Sequence, residues 1–177
     1  MGKIIFRKNV LFVMALLCFG FSHAQFTARG KANKDTKVWN YEVECSGVGN
    51  DGNVLIKVWS YSRKPKIAIE QAKKNAVHGI LFKGYASGAS GCTAQRAIAP
   101  DPGIEEDKQD FFKDFFSKGG QYLKYVSTST DASSREVLKV TQGRMKYKVG
   151  VTVTVHKDVL RKYLEKEGVI KGLATGF

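Results

Sequence analysis

The chain has 177 residues, 43% of them apolar, and carries 29 basic against 16 acidic residues, a net charge of +13. That length suits one domain with its own core, and beyond the start of the chain no apolar stretch is long enough to cross a membrane. The basic excess points to an anionic neighbour such as a membrane surface, an acidic glycan or nucleic acid.

The start reads as an export leader. Lys3, Arg7 and Lys8 make it positive, Val10 to Phe21 is an apolar run too short for a comfortable span, and Ser22-His23-Ala24 offers small residues before a cut. The expected leader is therefore 1–24, with Gln25 as the mature N-terminus; an uncleaved anchor is the alternative. Cys18 follows Leu17, where a lipoprotein leader needs a small residue, so lipid attachment there is disfavoured. Without the leader the net charge is +10, and Cys45 and Cys92 are the cysteines left. An even number in an oxidising compartment allows one disulfide, Cys45–Cys92; two buried thiols are the alternative. From Lys118 onward 12 basic residues face 5 acidic ones, so the excess sits in the second half.

Residues 25–37 are polar, basic and without a period, as expected of a flexible arm before a single domain at 38–177. Val38 to Ser46 alternates, with Trp39, Tyr41, Val43 and Cys45 on one side and Asn40, Glu42 and Glu44 on the other, the pattern of a half-buried strand. Asp51-Gly52 signals a hairpin into Val54 to Tyr61, whose two apolar faces place it inside a sheet. Pro65 to Gly84 is the clearest helix: Ala68, Ile69, Ala72, Ala76, Gly79 and Ile80 share a face small enough for close approach to a sheet. Glu70, Lys74 and His78 lie four apart on another face, with Glu70 and Lys74 in the favourable order for an ion pair. Tyr85 to Pro102 is long and rich in small residues, the profile of a functional or mobile loop that Cys92 would tie to the first strand.

Asp101 to Lys118 reads as a second helix with an acidic first turn. Its Phe111, Phe112, Phe115 and Phe116 form a stripe read as core packing, against the alternative of a lipid- or partner-binding surface. Tyr122 to Thr128 is expected as a third strand. Val137 to Thr141 leads through Gln142-Gly143 into Arg144 to His156, where Met145, Tyr147, Val149, Val151, Val153 and Val155 alternate with polar residues. Asp158 to Glu167 is a last short helix. Together these elements predict an α+β fold of two layers: a mainly antiparallel sheet of about four to five strands with helices on one face.

Catalytic signatures for acyl transfer, nucleotide binding or zinc hydrolysis are missing from the sequence. His78 and His156 read as surface or edge residues, and no metal set, cofactor site or catalytic residue is assigned. The binding candidate is the basic strand face of Arg144, Lys146 and Lys148, at alternate positions and so on one side. Charge on an edge strand that merely blocks unwanted pairing is the bland reading of the same residues.

The succession of KVWSYSR, IAIEQAKKNAVHGILFKG and KYKVGVTVTV, followed by the helix VLRKYLEK, resembles the small α+β domain of FlgT-type flagellar envelope proteins and the LPP-type outer-membrane lipoproteins grouped with them. Their helix repeats alanine at short intervals, here Ala68, Ala72 and Ala76. The chain also resembles secreted proteins of Bacteroidota, with the cut before Gln25. It departs from the lipoprotein members at Cys18 and in the insertion from Tyr85 to Pro102. The resemblance implies an envelope structural or assembly role and carries over no active-site residue.

The expectation is thus an exported, non-enzymatic protein, periplasmic or associated with the outer membrane. Its partner would be another envelope protein or a second copy. The alternative is a binder of an anionic polymer or surface through Arg144, Lys146 and Lys148; export argues against intracellular nucleic acid.

Overall fold

The computed structural model describes residues 31, 39–87, 91–128, 134–142 and 144–172. The expected leader with Cys18, the arm apart from Lys31, and the last five residues of the tail lie outside the described residues.

Five strands form one open antiparallel sheet: β1 (Tyr41–Gly47), β2 (Val54–Ser62), β3 (Val126–Thr128), β4 (Arg135–Gln142) and β5 (Met145–Val155). Helix α1 (Pro65–Phe82) packs on it, followed by α2 (Ile104–Asp107), α3 (Gln109–Phe115) and α4 (Lys157–Lys166). This is the expected α+β architecture. The strand order is β1–β2–β5, with β3 and β4 both on the far side of β5. Thr128 lies opposite Val153 and Arg135 opposite Val151, so β3 and β4 are collinear along one edge of β5.

The β1–β2 connection is built as its residues demand. Asp51 and Gly52 both have positive φ, 54° and 73°, which the tight hairpin turn requires, and the Asn53 N–H donates to the Asn50 carbonyl at 3.0 Å. β2 sits between β1 and β5, and its Ile56, Val58, Ser60 and Ser62 are fully buried. Val149, Val151, Val153 and Val155 of β5 bury on the same side.

α1 opens on Pro65 and stops at Gly84, whose φ of 67° lets its N–H reach back to the Gly79 carbonyl at 2.8 Å. Ala68, Ala72 and Ala76 are fully buried, so the helix lies close to the sheet. Gly79 faces β1 closely: a Cβ there would lie 2.9 Å from Val43 Cγ2.

Two elements differ from expectation. The helix predicted over Asp101 to Lys118 breaks at Lys108 (φ −111°, ψ 32°) into α2 and α3. Packing differs across the break: α3 buries Phe112 and Phe115, whereas α2 has no fully buried side chain and only Ile104 packs, partly buried, against the core. The strand predicted over Tyr122 to Thr128 is a 3-10 helix, Gln121–Tyr125, with β3 only three residues long. Tyr122 and Tyr125 are three apart and both buried, which suits three residues per turn rather than strand alternation. The four-Phe stripe is core: Phe112, Phe115 and Phe116 are buried and Phe111 packs against them.

Candidate functional site

The segment after α1 is tied down along its described length. Tyr85 and Gln95 exchange backbone hydrogen bonds at 3.0 and 2.9 Å. The Ile98 and Ala99 N–H groups donate to the Ile80 and Leu81 carbonyls at 3.1 and 2.9 Å, satisfying acceptors that the end of a helix leaves unpaired. A disulfide joins Cys45 of β1 to Cys92, with Cα atoms 6.0 Å apart. Residues 88–90 lie outside the described residues; on either side, the segment read as a functional or mobile loop is anchored.

Titratable groups gather on the flank of α1. His78 is buried, not at the surface as its position on a polar face predicted. The correction has a physical cause: Trp39, Phe82 and Phe116 close over that flank, with the Trp39 ring stacked on the imidazole at 3.6 Å. His78 Nδ1 lies 2.6 Å from the Tyr41 hydroxyl and Nε2 lies 3.3 Å from Glu105. An ionised Glu105 only accepts, so the hydrogen sits on Nε2 and Nδ1 accepts from Tyr41. Burial, reinforced by the positive charges of Lys83 and Lys74, pushes His78 down to about 3. Burial raises Tyr41 and Glu105, the latter opposed by a hydrogen bond from Trp39. Lys74 is buried with its ammonium 5.2 Å from the Trp39 ring centre, and burial lowers it to about 8. These groups border a groove of about 860 Å³ between α1 and α3, lined by Trp39, Lys74, Glu105, Phe112 and Phe116 among others. Glu70 forms an ion pair with Lys73 at 3.7 Å. His156 lies at the start of α4, its Nδ1 2.7 Å from Asn53 Oδ1.

The face of the sheet away from α1 carries the basic residues read from the sequence, but it does not hold them as one ladder. Lys148 donates to Glu42 at 2.8 Å and lies 5.0 Å from the Trp59 ring centre. The Glu42 bond raises Lys148, and hydrogen bonds from Lys148 and Tyr61 lower Glu42. Lys57 covers the other part of Trp59 at 4.5 Å and pairs with Glu136 at 2.5 Å. Gly150 makes room for the indole: a Cβ there would lie 2.9 Å from the Trp59 ring. Lys148 is therefore engaged. Lys146 is exposed on β5, and Arg144 is exposed in the turn before it.

Sequence reasoning missed β4's share of this surface. Arg135 and Lys139 are exposed, and with Arg144 and Lys146 they make no ion pair among the described residues. Val137 and Leu138 are 50% and 42% exposed. The signal was REVLKV itself: a strand with no uniformly apolar face has no buried side to declare. Tyr122, at the start of the expected third strand, is buried against Phe116, 5.9 Å between ring centres, and adds nothing to the basic face.

Comparison of the chain with protein-family models, characterised proteins and solved structures finds no match.

Proposed function

We propose that the chain is an exported, non-catalytic protein-interaction or assembly module of the cell envelope. The observation that carries this reading is the β4 edge, a strand of eight residues that no strand covers on its outer side among the described residues, with two exposed apolar residues. The Cys45–Cys92 bond supports the export half, because disulfides persist in oxidising compartments. The FlgT-type resemblance points the same way. The perturbed groups around His78 fit a polar core in which neighbours hold each group in place: the imidazole is bonded on both nitrogens and stacked under Trp39. In-cell cross-linking of the tagged protein followed by mass spectrometry tests the reading. A stoichiometric envelope protein, or the chain itself, is the expected capture.

The second reading, an anionic polymer held on the basic strand face, is favoured by the exposed Arg144 and Lys146 and weakened by the capture of Lys148 by Glu42. It predicts glycan or nucleic acid, released by salt, in the same cross-linking experiment, with loss on changing Arg144, Lys146 and Lys148 to Glu. Salt-insensitive capture of a protein counts against it.

A further inference from the structure

β4 pairs with β5 on its inner side and meets no strand on its outer side among the described residues. Alternate N–H and C=O groups of an edge strand point outward, a template for one more strand. Leu138 lies opposite Lys148 and Val137 opposite Val149, so the two exposed apolar side chains mark both faces of this edge. The cations beside them do too: Lys139 lies opposite Tyr147 on the α1 side, and Lys146 on the other. Arg135 and Arg144 flank the hairpin at its two ends. The single acid of β4, Glu136, is already engaged by Lys57.

We propose that β4 takes an extended acidic segment of another protein as a further strand of the sheet. This rests on the interaction-module reading above and names the chemistry of its partner. Main-chain hydrogen bonds along β4 supply the binding. Side chains of the incoming strand alternate, so its carboxylates on the α1 face meet Arg135 and Lys139 while its apolar side chains on the other face cover Leu138. A second copy is the poorer occupant. A two-fold axis relating antiparallel strands stands perpendicular to the sheet, so only residues on the same face come opposite each other. Centred on Val137, such pairing sets Arg135 against Lys139. Centred on Leu138 it avoids that clash, yet still brings two cation-rich hairpins within the screening length of each other.

The probe is a fluorescent ten-residue peptide of alternating Glu and Val, titrated into the purified chain at low salt, with hydrogen exchange read on the complex. Three controls are needed: the Lys/Val peptide, the Glu/Val peptide N-methylated at every residue so that neither edge can donate, and the R135E/K139E variant. The expected result is saturable binding of the Glu/Val peptide with new exchange protection over Arg135–Gln142. Binding should fall about tenfold or more in the variant and on N-methylation, as two reversed cross-strand charge pairs or a broken ladder imply. No binding, equal binding of the Lys/Val or N-methylated peptide, or protection elsewhere overturns the proposal. A chain that is already dimeric through β4 by light scattering, and made monomeric by L138K, overturns it in favour of self-pairing. If in-cell cross-links to a stoichiometric partner map away from β4, the interaction reading stands and the strand-addition proposal fails.

Discussion

His78 illustrates how a residue's neighbours override its position in a helix. Its four-residue spacing from Lys74 placed it on a polar stripe, yet Trp39 from the chain before β1 and Phe116 from beyond α3 seal that stripe. No local pattern reveals such closure, because the covering side chains are distant in sequence. The pH consequence has a definite sign. An unfolded histidine titrates near 6.5, whereas burial chiefly holds His78 at about 3 in the folded chain. Between those values the unfolded state binds the proton and the folded state does not. This contribution to stability is present above the unfolded pKa and is lost as pH falls toward 3, by on the order of a few kcal/mol. Urea unfolding of H78Q at pH 7 and pH 4.5 should show a shallower pH dependence than the parent chain. Equal slopes would show that His78 is not held neutral. Gly79 gives a second test at this scale. Alanine there would gain roughly 1 kcal/mol of helix propensity, but its Cβ would press on Val43 at 2.9 Å, with overpacking of about 1–3 kcal/mol. G79A should therefore lower stability by up to about 2 kcal/mol in urea titration; a gain would mean that β1 gives way.

Among the elements, α1, the β1–β2 hairpin, β5 and α4 were legible because each carries a complete local signal: Pro65 and Gly84 at the ends of α1, Asp51-Gly52 in the turn, alternating valines in β5. The break at Lys108 and the 3-10 turn were not, because the core decides both. In the segment after α1, read as functional or mobile and tied by Cys92, the disulfide was legible but the backbone bonds to the Ile80 and Leu81 carbonyls were not, since small residues carry no signal for them. Its covalent tie has a measurable weight. Cys45 and Cys92 are 47 apart in sequence, and closing such a loop in the unfolded chain contributes about 4 kcal/mol in the chain-entropy account. Reduction should lower unfolding free energy by about 2–4 kcal/mol and speed hydrogen exchange around Tyr85 and Gln95. An unchanged urea midpoint would show that the backbone bonds hold the segment without it.

At the scale of the whole molecule, the charge excess was legible but its distribution was not. Lys57 is paired with Glu136 and Lys148 with Glu42, whereas Arg135, Lys139, Arg144 and Lys146 of the β4–β5 hairpin stay exposed. The sheet also imposes an order of events in time. β5 is the last strand made, and it pairs with β2, β3 and β4; Val54 waits for Val155. Until β5 is available, the one described pair of strands that can form is the β1–β2 hairpin, and a two-stranded hairpin is marginal in water. Long-range pairing of this kind is slow to form. A nascent chain of this topology therefore cannot close its sheet until β5 has been made, so synthesis of β1 and β2 runs well ahead of the pairing that buries them.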